Sequence, residues 1–171
     1  QNFFATREPG LRQNSGRGLL LLGRGDGSFV AVAGQNAGIE IYGEQRGAAA
    51  GDFDGDGRID PAVAQNNGAT RLFRNRMAKP GLKVRLSGPP ENPVAIGAVL
   101  RLVFENGMGP AREIHAGAGY LSQDSPRVVL GMQEQPKAVW VRWPNGKSVQ
   151  KEIPAGARSV TVTFGREKGS E

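Results

Sequence analysis

With 171 residues the chain can hold one ordinary domain or two small ones, and its 26 glycines, 11 prolines and 38% hydrophobic content point to short strands and tight turns, hence an all-β fold. The absence of cysteine excludes a disulfide framework, a thiol nucleophile and a Cys-based zinc site, while still allowing an oxidising compartment. A formal net charge of +6 favours acidic partners in general, but the arginines are scattered without interleaved aromatics, which argues against a nucleic-acid platform.

The first residues hold a partial repeat. Gln1-Asn2-Phe3-Phe4-Ala5-Thr6-Arg7 matches Gln65-Asn66-Asn67-Gly68-Ala69-Thr70-Arg71 at five of seven positions, and a Leu-rich segment follows each, Leu19–Leu22 and Leu72-Phe73. If the polar Glu8–Arg17 is a loop insertion, the repeat length suits a four-stranded propeller blade. The chain then opens inside one repeat and finishes the next. Beginning at Gln1 with neither Met nor a signal-like segment, it reads as a mature or excised piece of something longer. No apolar run, Leu19–Leu22 among them, approaches the about 18 residues that would suggest a membrane span. Between the two copies, Gly18–Gly23 reads as a buried strand, Gly25-Asp26-Gly27-Ser28 as a turn, Phe29–Ala33 as a strand, and Gly38–Tyr42, with alternating Ile39 and Ile41, as another.

The most informative stretch follows, Asp52-Phe53-Asp54-Gly55-Asp56-Gly57-Arg58-Ile59-Asp60. Carboxylates at the first, third, fifth and ninth positions of one loop repel one another unless a cation joins them. Calcium suits the task, because it takes about six to eight oxygens and tolerates irregular geometry. Asp52, Asp54, Asp56 and Asp60 would supply side-chain oxygens and Arg58 its carbonyl, with Gly57 giving the backbone its freedom to turn. An EF-hand is excluded, since Val63 stands where that motif needs its bidentate acid, and the flanks Gly47–Gly51 and Pro61–Gln65 look like strand ends rather than amphipathic helices. A metal-free Asp/Gly turn is the plainer alternative, but such a turn has no use for four spaced carboxylates.

Beyond the loop, Pro61–Gln65 and Thr70–Phe73 form a hairpin across Asn66-Asn67-Gly68, and Met77–Gly81 marks a boundary. This divides the chain into 1–76, a repeat region, and 77–171, a second β-domain. Strands are expected at Leu82–Leu86, Ala98–Glu105, Ala111–His115, Ala138–Trp143, Ser148–Ile153 and Ser159–Phe164, with hairpin signals at Asn106-Gly107 and Pro144-Asn145-Gly146. In Ala98–Glu105, Leu100, Leu102 and Phe104 share one face and Val99, Arg101, Val103 and Glu105 the other. Such strands make a small antiparallel sandwich or barrel. The polar tail Arg166–Glu171 reads as loose.

Gly51–Asp60, continued by Ala62–Asn66 and Leu72-Phe73-Arg74-Asn75, resembles an FG-GAP/VCBS repeat. Gly97-Ala98-Val99, Gly119-Tyr120-Leu121-Ser122-Gln123 and Val139-Trp140-Val141-Arg142-Trp143-Pro144-Asn145-Gly146 resemble the ASPIC/UnbV domain that follows such repeats in cartilage-acidic-protein-like secreted proteins. The resemblance implies propeller-type blades followed by the small β-domain, a secreted or extracytoplasmic location, no enzymatic activity and calcium as a structural ion on the four aspartates. A protein or glycan partner at the cell surface is expected. Because one full repeat and a remnant leave apolar sheet faces open, missing upstream blades or a homo-oligomer would have to cover them.

Other candidates have plainer readings. Arg24-Gly25-Asp26 spells an integrin-recognition tripeptide but sits in what this repeat family uses as an ordinary turn. His115, the single histidine, has no partner motif for general-base work and reads as a strand-end residue. Trp140 and Trp143 face opposite sides of a strand, one in the core and the other available to stack on a sugar ring. Tyr120 with Ser122, Gln123 and Asp124 reads as a packed polar loop. The expected function is a non-enzymatic calcium-binding interaction module, the alternative a carbohydrate-recognition accessory domain.

Overall fold

A computed structural model describes residues 18–165 and, for the backbone only, 4–5 and 12–13. Most of the Gln1–Arg7 copy of the repeat, most of Glu8–Arg17 and the Arg166–Glu171 tail therefore lie outside the described residues. The described residues form strands and connecting segments, with one four-residue helix among them. The strands are β1 (Phe4–Ala5), β2 (Arg12–Gln13), β3 (Leu20–Gly23), β4 (Phe29–Val32), β5 (Glu44–Gly51), β6 (Asp60–Asn66), β7 (Gly68–Leu72), β8 (Leu82–Ser87), β9 (Val99–Phe104), β10 (Gly107–Met108), β11 (Arg112–Glu113), β12 (Arg127–Leu130), β13 (Ala138–Arg142), β14 (Ser148–Glu152) and β15 (Ser159–Thr163), with helix α1 (Gly34–Ala37).

Two compact units share this chain. One gathers the described residues up to Ala49 with Pro61–Arg74 and Gly119–Ser122; the other gathers Ala50–Asp60, Asn75–Ala118 and the described residues from Gln123 onward. The carboxylate loop thus belongs to the second unit, together with the strands after β7.

In the first unit β3 and β4 form a hairpin, Leu20 opposite Val32 and Gly23 opposite Phe29, and β5, β6 and β7 form a three-stranded sheet in that order. The hairpin corrects one expectation. Gly18–Gly23 does contain a strand, but Leu20, Leu21 and Leu22 stay 37%, 48% and 53% exposed, because among the described residues β3 pairs only with β4. Gly38–Tyr42 is a second correction. Helix α1 ends on Gly38 in the left-handed region (φ 69°), and Ile39–Tyr42 is not a strand; the next one, β5, begins at Glu44. Ile41 is nevertheless buried.

The β3–β4 turn carries Arg24-Gly25-Asp26. Arg24 N–H donates to the Ser28 carbonyl at 3.0 Å, and the Asp26 carboxylate accepts from Ser28 Oγ at 2.7 Å and Ser28 N–H at 2.9 Å. These bonds hold the Asp26 carboxyl below its ordinary pKa, the hydroxyl contributing more than the amide. The carboxylate is occupied in closing its own turn, the ordinary role expected for it.

The second unit is a two-layer sandwich; its sheets do not close into a barrel. One sheet runs β10-β9-β13-β14 with β11 also on β9, and the other runs β12-β8-β15. Inward positions meet in register: Leu100 pairs with Val141 and Leu102 with Val139 in the first sheet, and Val84 lies between Val128 and Val160 in the second. With Leu82, Leu86, Ile114, Trp143 and Val162 they make one buried cluster, Val128 packing against it partly buried, and Trp143 meets the Phe164 ring edge-on at 5.3 Å between centroids. The expected alternation in Ala98–Glu105 is present, Leu100 and Leu102 being buried and Val99, Arg101 and Val103 only partly so.

Two features of this sandwich were not anticipated. Strand β12 is a short apolar run after Pro126, too brief for periodicity to separate from a loop. And β15 pairs with β8 in parallel, Val160 beside Val84 and Val162 beside Leu86, so the sheet is mixed rather than wholly antiparallel.

Leu100 is fully buried. Leu100→Ala should lower the stability of the sandwich by about 2–5 kcal/mol, read as a fall in the urea midpoint with an unchanged slope. For the turn, the lowered Asp26 pKa means that its bonds contribute above the ordinary carboxylate range and are lost as pH falls through the folded-state pKa. An NMR titration should find Asp26 titrating below 3.8, and Ser28→Ala should move that midpoint upward.

Candidate metal centre

The loop from Asp52 to Asp60 joins the end of β5 to the start of β6. Local chemistry sets its shape. Asp56 N–H donates to Asp54 Oδ1 at 3.2 Å and Arg58 N–H to Asp56 Oδ1 at 2.9 Å, two successive aspartate-closed turns. Gly55 and Gly57 take positive φ values of 80° and 84°, which L side chains rarely adopt. Gly57 is also buried, its N–H donating to Asp52 Oδ2 at 3.0 Å and its carbonyl accepting from Gly81 N–H at 2.8 Å.

Three carboxylates converge. Asp52, Asp54 and Asp60 each offer an oxygen, and these lie within 4.8 Å of one another. At that separation a pair of unit charges repels by about 1 kcal/mol in bulk water and roughly 3 kcal/mol at an effective dielectric of about 20. Asp60 is 2% exposed and is fixed on both oxygens, Oδ1 accepting from Asn75 N–H at 2.7 Å and Oδ2 from Phe53 N–H at 3.2 Å. Asp52 differs: its side chain is 6% exposed, yet Oδ1 is buried without a hydrogen-bond partner. A buried, unsatisfied carboxylate oxygen beside two other carboxylates costs free energy that a cation would recover.

The remaining members of the expected ligand set are placed differently. The Asp56 carboxylate accepts from Arg58 Nη1 at 2.8 Å, and Arg58 Nε reaches the Ala78 carbonyl at 2.6 Å. Asp56 and Arg58 therefore brace the turn against the Ala78–Gly81 segment.

Two positioning residues escaped sequence reasoning. Asn75 holds Asp60 through its N–H, and its side-chain amide donates to the Ile59 carbonyl at 3.2 Å while its oxygen accepts from Met77 and Ala78 N–H. Lys83, on β8, donates to the Gly55 carbonyl at 2.7 Å and lies 3.7 Å from Asp52 Oδ2. Asn75 was legible only as part of the repeat's closing Leu72-Phe73-Arg74-Asn75. Lys83 had no local signal at all, because its role depends on where β8 lies.

The other candidate residues gather no comparable chemistry. His115 is exposed, 3.6 Å from Glu113, and accepts at its carbonyl from Gln123 Nε2 at 3.1 Å. It shares a cavity of about 610 Å³ with Val99, Ile114, Arg112, Arg127 and Arg142. Tyr120 is 55% exposed with the Arg46 guanidinium 5.4 Å from its ring centroid. Asp124 Oδ1 accepts from Ala50 N–H at 2.7 Å, the next residue Ser125 donating its own N–H to the Ala50 carbonyl at 2.9 Å. Of the tryptophans, Trp143 is core and Trp140 is half-buried on the outer face of its sheet, between Arg101 of β9 and Gln150 of β14.

Comparison with known proteins agrees with part of this picture. Residues 88–169 match the family model described as ASPIC and UnbV. Cartilage acidic protein 1 of Xenopus tropicalis is 37% identical to the chain over 59 residues, which cover 34% of this chain and 9% of that relative. The chain thus aligns with less than a tenth of the relative's length. The family match begins after β8, so β8 and the carboxylate loop of the same unit precede the matched segment.

Proposed function

We propose that the chain is a non-enzymatic, extracytoplasmic interaction module whose Asp52–Asp60 loop takes up one calcium ion. The orphaned Oδ1 of Asp52, buried beside the Asp54 and Asp60 carboxylates, is the observation that carries this reading. A donor set of carboxylate oxygens suits a hard cation, and a flexible glycine-containing loop suits calcium better than the strict octahedron of magnesium. Asp52, Asp54 and Asp60 would hold the ion, with Asp56 and the Arg58 carbonyl completing the set that the FG-GAP/VCBS-like pattern implies. When bound, the ion supplies charge neutralisation and loop rigidity. The protein's own contribution is positional: Asn75 fixes Asp60, Gly57 lets the chain close over Asp52, and Lys83 ties the loop to β8.

A non-enzymatic role fits the rest of the molecule. The lone histidine is exposed, and its near neighbour is Glu113 rather than a nucleophile. An extracytoplasmic setting is supported by the likeness to a protein named for cartilage, and among the described residues no helix is long and apolar enough to cross a membrane. The exposed leucines of β3 and Phe29, 66% exposed, offer a surface for upstream blades or a protein partner. Trp140 favours a second reading, carbohydrate recognition, since a half-buried indole flanked by Arg101 and Gln150 combines a stacking face with hydrogen-bonding groups.

Calorimetric titration of calcium into chelator-treated protein should give one site with a dissociation constant of about 10⁻⁴–10⁻³ M, and ~100-fold excess should add about 2.7 kcal/mol of stability. Asp52→Asn should abolish both effects. A melting temperature indifferent to calcium and to chelator would refute the reading. On a glycan array, loss of binding in Trp140→Ala would support the carbohydrate alternative, whereas an array on which the unmodified chain captures nothing would dismiss it.

A further inference from the structure

We propose that the outer face of the β12-β8-β15 sheet is an oxyanion-binding site built around Arg85 and Arg127. Strand β8 alternates strictly, Leu82, Val84 and Leu86 being buried, so Lys83 and Arg85 point to the opposite face. The register places Arg127 of β12 and Thr161 of β15 on either side of Arg85, and Val129 and Ser159 on either side of Lys83. Two arginines therefore stand directly opposite one another on adjacent antiparallel strands. Side chains so paired have Cβ atoms only about 4.5–5.5 Å apart, and like charges there destabilise the sheet.

Nothing in the described protein relieves that repulsion. Among the described residues neither the Arg85 nor the Arg127 guanidinium has an ion-pair or hydrogen-bond partner. Lys83 in the same row is engaged with Gly55 and Asp52, which matches the carboxylate lining the adjoining cavity with a cation of its own. Two positive charges are left over, and both line a cavity of about 310 Å³ whose wall also carries the Lys83–Asp52 pair and the hydroxyls of Ser125, Ser159 and Thr161.

A tetrahedral oxyanion answers each of these features. Guanidinium groups present planar pairs of N–H donors that fit sulfate and phosphate oxygens, and the hydroxyls add donors of adjustable direction. An anion between the two arginines converts their mutual repulsion into shared attraction, with charge-assisted bonds roughly twice as strong as neutral ones. The cavity holds more than a bare ion, so the oxyanion can be the ester group of a larger molecule. Sulfate and phosphate share this chemistry. The two arginines lie on strands β8 and β12, whereas Asp52 and Gly55 of the carboxylate loop line the same cavity, so binding is measured with calcium removed.

The test is calorimetry of the full chain in EDTA at constant ionic strength, with inorganic sulfate, inorganic phosphate, a sulfated oligosaccharide and its desulfated counterpart as probes, on the unmodified chain, Arg85→Gln and the Arg85→Gln/Arg127→Gln double variant. Binding of sulfate or phosphate should weaken at least about tenfold in the single variant and vanish in the double. In chloride buffer the double variant should melt no lower than the unmodified chain, since it loses a repulsion. A sulfated oligosaccharide that binds more tightly than inorganic sulfate, with no binding after desulfation, identifies a sulfated glycan as the source; preference for phosphate over both identifies free phosphate. Absence of heat from every probe overturns the proposal. So does an equal thermal shift by sulfate in the unmodified and double-variant chains, which would be general salt exclusion, and so does a double variant that melts lower in chloride.

Discussion

Strand β8 carries two obligations at once, and the second unit depends on both. Its period-2 alternation sends Leu82, Val84 and Leu86 into the core while Lys83 and Arg85 point away from it. Because β8 is the middle strand of its sheet, neither set can change face without a register slip that would expose the apolar row and bury two cations. That constraint fixes where Lys83 meets the carboxylate loop and where Arg85 meets Arg127. The same backbone that organises the core therefore organises the charges.

The carboxylate loop shows how such a frame tolerates local electrostatic cost. Gathering Asp52, Asp54 and Asp60 is unfavourable taken alone, and the protein offsets it with hydrogen bonds to Asp60, a lysine beside Asp52 and an arginine on Asp56. The loop is bound on its far side as well, by Gly57 to Gly81, and Gly81 can be nothing larger because a methyl group there would run into the Leu130 carbonyl. Within its own unit the site is thus held by Asn75, Gly81 and Lys83.

This arrangement bears on what the family match describes. The matched segment, residues 88–169, contains β9 to β15 but not β8, although β8 lies between β12 and β15 and supplies Leu82, Val84 and Leu86 to the shared core. The physical unit is larger than the matched one. It reaches back through the Asn75–Gly81 segment to the carboxylate loop, and a metal bound there would act on the stability of this unit directly.

The sequence by itself determined the class of fold, most of the strands and the acidic loop, because each is written locally: alternation in Ala98–Glu105, glycines at the turns, aspartates two apart in 52–56. It also marked the tripeptide at Arg24 as an ordinary turn, from its glycines and its likeness to the repeat family, and the structure added the bonds from Ser28 that close on the Asp26 carboxylate. Tertiary structure alone decided that the loop belongs with the sandwich, that β15 runs parallel to β8, that Trp143 is core while Trp140 is half-buried, and that Arg85 faces Arg127. Each of these depends on which distant strands lie side by side. A one-residue change of register would reverse several of them, and no stretch of a single strand encodes its neighbour's register.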